Sequence, residues 1–326
     1  MKIISGADIE RLADYPSMIA AMEQAFRGGV VAPVRHHHSV TKPGASPTTL
    51  LLMPAWTDFS ALKDGQSGHI GVKIVTVSPD NGALAKPAIM GNYFLMDGKT
   101  GEPRAILDGQ MLTVFRTAAT SALAARYLAR DNCNVHLVIG AGALSTHLAR
   151  AHRAALPIRK TIIWNRNFDG AVKAAEKLRA HGIEANAIDD LDFGLRNADI
   201  ISAATLSSEP LIKGNLLKEG THIDLVGAFN AQMRESDDTA VLRSRLFVDT
   251  FAGALKEGGD LVQPIADGII SADDIVGELA MLVRGEITGR NSHGEITLFK
   301  SVGAALEDLA AAILIDQRHE AQLRQF

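Results

Sequence analysis

The sequence carries one cysteine, Cys133, in 326 residues. A lone thiol excludes an intrachain disulfide and a cysteine-based metal cluster. An excess of charge is also missing: 33 Lys and Arg stand against 37 Asp and Glu, a net of -4. That balance leaves no footprint for nucleic acid or an anionic membrane surface. No apolar run approaches the roughly 18 residues needed to span a bilayer. The opening MKIISGADIERLADY turns polar too soon for an export signal. These absences fit a cytoplasmic enzyme acting on a small molecule, in a chain long enough for two domains.

What is present centres on NVHLVIGAGALSTHLARAHRAA, residues 134–155. The apolar run 135–139 reads as a buried strand, the chain turns at Gly140-Ala141-Gly142, and a helical pattern follows at once. This is the order of a dinucleotide-binding turn. Gly140 suits the tight turn, Gly142 lets the backbone approach a pyrophosphate, and Ala143 and Leu144 open the helix whose free N–H groups would hold it. Ser145 stands at the third small position, slightly off the pattern.

Around this turn, residues 1–30 show helical spacing ended by Gly28-Gly29, and VAPVRHHHSV reads as a strand. His36, His37 and His38 alternate faces on a strand, so they cannot converge on one metal ion. Strand-like runs at 49–53, 69–77 and 88–96, punctuated by Pro54, Gly65, Pro79, Gly82 and Pro87, predict an antiparallel meander. A turn at 97–101 leads to a strand ending near Leu107, and Asp97 and Asp108 read as turn residues. A helix is predicted over 116–130, with Arg116 at its start and a stripe of Ala118, Ala122 and Ala125 for close packing. From 134 on, strands at 135–139, 160–164, 184–188, 198–203, 221–226 and 245–250 alternate with helices, the pattern of a doubly wound parallel sheet. The stretch 253–290 reads as turn-rich with a helix at 273–284; a strand at 295–299 and a helix at 304–316 close the chain. Asp224 lies inside an apolar strand, where bonding to neighbouring backbone is expected, and His222 and His293 are expected to titrate near neutrality.

The second strand of the parallel sheet ends in Asn165-Arg166-Asn167. An acid for the ribose hydroxyls is missing there, and Arg166 suits a 2′-phosphate, so NADPH is expected over NADH.

Three segments together are specific: GVKIVTVSPDNGALAKPAIMGNYFLMDGKTGEPRAILDGQMLTVFRTAATSALAARYLAR, HIDLVGAFNAQMRESDD and EITLFKSVGAALEDLAAA. With these the chain resembles the ornithine cyclodeaminase/mu-crystallin family over nearly its whole length. The resemblance implies an α/β fold: a Rossmann domain at 116–303 and a mixed α+β substrate-binding and dimerisation domain at 1–115, completed by the C-terminal helix 304–326. It implies a homodimer and chemistry on α-imino or α-amino acids. Lys73 matches the family's active-site lysine in Gly-x-Lys, and Arg116 its carboxylate-binding arginine in Arg-Thr-Ala-Ala. Arg35 matches an arginine on an early strand, Asn165 and Arg166 the pair that mu-crystallin-like members use for NADPH, and Thr117 and Ser301 positions near cofactor or substrate. Cyclodeaminases carry an aspartate two residues after the glycine that follows the fifth strand; here that position is Phe229. The departure favours the branch that reduces cyclic ketimines such as 1-pyrroline-2-carboxylate over an ornithine cyclodeaminase, an amino-acid dehydrogenase or a non-catalytic NADPH-binding protein. In that reading Arg116, helped by a helix dipole, and Arg35 clamp the carboxylate, while Lys73, its pKa lowered by burial beside two arginines, acts on the imine nitrogen.

Overall fold

In the computed structural model, residues 1–62, 67–84 and 86–324 are described; Gly65 and the last two residues of the chain lie outside them. In chain order the elements are β1 (Lys2–Ile4), α1 (Gly6–Leu12), α2 (Tyr15–Arg27), β2 (Val30–Val31), β3 (His36–Lys42), β4 (Ala45–Thr57), β5 (His69–Val77), β6 (Ile89–Asp97), β7 (Pro103–Asp108) and α3 (Gly109–Leu128). They continue with β8 (Val135–Ile139), α4 (Ala143–Ala155), β9 (Lys160–Trp164), α5 (Phe168–Ala180), β10 (Ala185–Ile188), α6 (Leu191–Asn197), β11 (Ile200–Ala203) and β12 (His222–Leu225). The last are α7 (Asp238–Leu242), β13 (Ser244–Val248), α8 (Phe251–Glu257), α9 (Gly259–Ala266), β14 (Ile275–Glu278), α10 (Leu279–Arg284), β15 (Ile296–Lys300) and α11 (Ala305–Leu323). None of the described helices is long and apolar enough to cross a membrane. The chain divides into two compact units, Met1–Arg116 with Ala304–Phe326, and Thr117–Gly303.

The first unit is built on a sheet in the order β1-β7-β6-β5-β4-β2, with β3 paired to β4. Strands β4 to β7 form the antiparallel meander. Its buried face packs on α11, which also lies along α2. The opening residues differ from the single helical run expected of them. Lys2–Ile4 pairs in parallel with β7, and the helical part splits in two. The reason is capping: Ser5 and Asp8 form a capping box for α1, and the Asp14 side chain accepts from Ser17 N to start α2. Helix α3 likewise starts at Gly109, not at Arg116. Asp108, read as a turn residue, accepts from the Met111 N–H at 2.7 Å and so marks the helix entry.

The second unit is an eight-stranded, all-parallel sheet in the order β10-β9-β8-β11-β12-β15-β13-β14. The order reverses between β8 and β11, the switch point at which such sheets bind ligands. The stretch expected as helix at 273–284 contributes the edge strand β14 before α10 begins. The sheet's two faces differ. One carries Leu137, Ile139, Ile201, Ile223, Leu225 and Leu298 in an apolar core. The other carries a buried polar seam: the His136 ring bonds the Ser202 hydroxyl at 2.9 Å, and Ser202 donates to Asp224 at 3.0 Å. His152 of α4 lies 3.8 Å from Asp224 with its ring 4.6 Å from that of His136, and His222 bonds the Thr297 hydroxyl at 3.0 Å. Asp224 therefore takes a side-chain hydroxyl. His222 does not titrate near neutrality, because burial pushes its pKa well below the usual histidine value.

Candidate active site

In the first unit, period-two alternation along β5 turns Gly71, Lys73 and Val75 to the buried face. The lysine sits in a cross-strand row with Met53 and Tyr93. A side chain at Gly71 would collide with the Tyr93 hydroxyl, so the glycine of Gly-x-Lys makes room for that ring. Lys73 is only 2% exposed. Its Nζ donates to Asp308 Oδ1 at 2.9 Å and to the Thr113 hydroxyl at 3.2 Å. Arg116 is buried about two turns inside α3; there it gains nothing from a helix terminus, which corrects the expectation of dipole assistance. Two acids replace the dipole. Arg116 Nε donates to Asp308 Oδ1 at 3.0 Å, and Nη1 to Glu307 Oε2 at 2.7 Å. Burial alone would lower the Arg116 pKa, but Asp308 and Glu307 outweigh it and hold the pKa above its usual value. Arg35 lies one residue ahead of β3, half-buried and near enough for its charge to be felt at Lys73. Burial, with Arg116 and Arg35 adding like charge, brings the Lys73 pKa down to about 8, against the opposing pull of Asp308.

Glu307 and Asp308 are not among the residues that the sequence reading singles out. Their signal was there: both fall in the first turn of α11, where acids suit the dipole, and Asp308 sits on the stripe Ala305, Leu309, Ala312 and Ile315 that the helix buries. An acid on an apolar stripe calls for a cationic partner.

In the second unit, Gly140 has φ 110°, and a Cβ there would come 2.8 Å from the Ala204 carbonyl at the end of the adjacent β11. A side chain is thus excluded on both counts. Gly142 is the N-cap of α4 with no side-chain cap, and a Cβ built on it would meet nothing within 4 Å. Gly142 and Ala143 are exposed and Leu144 half-buried, while the buried Ser145 hydroxyl donates to the Gly142 carbonyl at 2.9 Å and braces the turn. An open, uncapped helix start of this kind fits a pyrophosphate. At the end of β9, the Asn165 side chain donates to the Asn167 carbonyl at 2.8 Å, and Arg166 is exposed beside it. Thr117 is buried in α3. Ser301 is also buried, and its hydroxyl donates to Asp249 at 3.0 Å; the same Asp249 carboxylate accepts from the Val302 and Gly303 N–H groups. Glu235, another residue without a local sequence signal, accepts from Thr205 N–H and hydroxyl and from Gly227 and Ala228 N–H, tying together the loops after β11 and β12. Burial pushes its pKa up. Phe229 follows in the second of these loops, half-buried. His36, His37 and His38 lie exposed on β3, and no metal-binding cluster occurs among the described residues.

The chain is 41% identical over 295 residues to Protein SAR DEFICIENT 4 of Arabidopsis thaliana, covering 89% of this chain and 88% of that one. It is 35% identical over 319 residues to the Delta(1)-pyrroline-2-carboxylate reductase of Colwellia psychrerythraea, covering 96% and 97%. Its fold matches the Thermococcus litoralis Delta(1)-pyrroline-2-carboxylate reductase, solved in complex with NADH and L-proline, with TM-score 0.91, 34% identity and coverage of 99% and 98%. The profile of the ornithine cyclodeaminase/mu-crystallin family matches residues 3–322, and the chain belongs to that family.

Proposed function

We propose that this protein is an oxidoreductase that reduces the C=N bond of a small cyclic ketimine acid, 1-pyrroline-2-carboxylate or 1-piperideine-2-carboxylate, to L-proline or L-pipecolate. The observation that carries the reading is a buried lysine and a buried arginine that share one carboxylate oxygen, with burial bringing the lysine pKa down to about 8. A cyclic imino acid presents a carboxylate beside a basic nitrogen. Arg116 and Arg35 bind the carboxylate as fixed cations. Lys73 donates a proton from Nζ to the ring nitrogen, which draws electrons from the imine carbon; the neutral amine left behind is reprotonated from solvent. The reduced nicotinamide, when bound, supplies the hydride. Gly140, Gly142, Ala143 and Leu144 hold its pyrophosphate, and Asn165 and Arg166 its adenosine end, with Thr117 and Ser301 bracing the site.

Phe229 has no proton to exchange and cannot hold a side-chain ammonium, so ammonia release from ornithine should be undetectable or far slower than imine reduction. The test follows NADPH oxidation at 340 nm with each ketimine and measures ammonia from ornithine in parallel. Ammonia release without imine reduction would replace this reading by a cyclodeaminase; binding of NADPH without either turnover would make the protein a carrier.

We propose NADPH as the preferred cofactor, because Arg166 stands where NAD-preferring sites place an acid. Arg166→Ala should cost about 1.5–3 kcal/mol of NADPH affinity and little for NADH. Equal losses for the two cofactors in a binding titration would count against the preference.

We also propose a two-fold dimer. On the sheet face opposite Lys73, Leu52, Pro54, Trp56, Ile70, Val72, Ile74 and Phe94 remain half-exposed, an apolar surface that a second copy would cover. Light scattering at micromolar concentration should show about twice the chain mass; a 34.7 kDa species alone would overturn the dimer.

A further inference from the structure

The sheet and helices of the first unit bring two cations into one buried place, with a third, half-buried, near enough for its charge to be felt there. Lys73 comes from β5, Arg116 from α3 and Arg35 from the segment ahead of β3. Two anions answer them, Glu307 and Asp308, both from the first turn of α11. Tyr93 of β6 faces the same place, and burial together with Asp308 raises its pKa, so the phenol keeps its proton and adds no charge. The two anions are placed differently. Glu307 accepts from Arg116 Nη1 at 2.7 Å and from the Ala304 N–H at 3.0 Å, so it also helps to cap its own helix. Asp308 puts one oxygen, Oδ1, between Lys73 at 2.9 Å and Arg116 at 3.0 Å. Its other oxygen is buried and accepts no hydrogen bond, and the Tyr93 hydroxyl is likewise buried and unpartnered.

Of the three cations, only the lysine can shed its proton near neutral pH; an arginine cannot. Taking the Asp308 charge away would leave three cations facing one anion, and the strain would be relieved at Lys73.

We infer that Asp308 is a positioning residue for the reduction: it keeps the Lys73 ammonium charged and aligned beside Arg116, so that a proton is at hand for the imine nitrogen. The inference rests on the reading of Lys73 as proton donor. Among the influences on Lys73, Asp308 is the chief one that works against burial.

The test compares the unmutated protein with Asp308→Asn and Asp308→Glu, using two readouts. The first is the titration of the Lys73 side chain in the free, 13C-lysine-labelled protein, its resonance assigned by its loss in Lys73→Met. The second is the pH profile of kcat for pyrroline-2-carboxylate reduction. In Asp308→Asn, both the resonance midpoint and the alkaline limb of the profile should move about one pH unit or more to lower pH. At neutral pH kcat should fall about twofold for a one-unit shift and about tenfold for two, and Asp308→Glu, which keeps the charge, should restore most of it. An unmoved resonance in a folded Asp308→Asn protein overturns the inference, as does failure of both variants to fold, which would make Asp308 structural. A resonance that moves while the rate profile stays put upholds Asp308 as the holder of the Lys73 charge and overturns Lys73 as donor.

Discussion

Lys73→Met should lower kcat for ketimine reduction by roughly 10²–10⁴, the range usual for a positioned acid, with NADPH binding intact. Methionine keeps the length and the apolar stem but has no proton to give. Arg116→Met should behave differently: KM should rise strongly because the carboxylate loses its fork, and kcat should fall too as the imine loses alignment. In the unmutated protein the acid must be protonated to act. With the Lys73 pKa at about 8, kcat should hold at neutral pH and decline as pH rises through that value. Stopped-flow or steady-state measurements from pH 6 to 10 would show it. Normal turnover by Lys73→Met would make the lysine structural and remove the mechanism.

The second large effect is on stability. Acidification from neutral pH to about pH 4 should strongly destabilise the protein, through the polar seam of the parallel sheet. Burial lowers the His152 pKa to about 4, and burial with neighbouring histidines lowers those of His136 and His222 well below the usual value. All three are neutral in the fold. An unfolded chain takes up their protons below its ordinary histidine pKa near 6.5, whereas the folded chain does not, so stability is lost as pH falls from there. His152 alone contributes about 3 kcal/mol across its window, at roughly 1.4 kcal/mol per unit. Asp224 works in the opposite sense. Burial raises its pKa to about 7, so it favours the fold at low pH and loses that contribution as pH rises toward 7. One carboxyl offsets about one histidine, and two histidines remain. Urea unfolding at pH 7 and pH 4.5 should show a clear fall in midpoint. His152→Leu, which cannot be protonated, should flatten the dependence below pH 6; an unchanged slope would rule out His152 as a source.

Much of this fold was legible because its signals are local. Strands 69–77, 135–139 and 160–164 were readable to the residue from apolar runs bounded by turns. The glycine turn at 140–142 was readable because only glycine tolerates that φ and that approach to Ala204. Sequence and structure part where one local signal has two meanings. Asp108-Gly109 serves equally as a turn or a helix entry, and in the structure it is the entry of α3, seven residues ahead of Arg116. The sequence reads His222 as titrating near neutrality because its burial depends on β15, 75 residues away, whose Thr297 it bonds, and not on its neighbours in sequence.

The sequence by itself determined that Lys73 shares a strand face with Gly71 and Val75, and that Arg116 lies on a helix with small residues around it; residue pattern alone left Lys73 as readily an exposed strand lysine, and only the family resemblance implied its burial. The sequence could not determine what charge those two side chains meet. Asp308 stands 235 residues from Lys73 and 192 from Arg116, and only the packing of α11 against the sheet of the first unit brings it to them. A pKa depends on burial and on the nearest opposite charge, and both are properties of distance in space. The tertiary structure therefore decided whether Lys73 would be a discharged amine or an ammonium ready to give a proton.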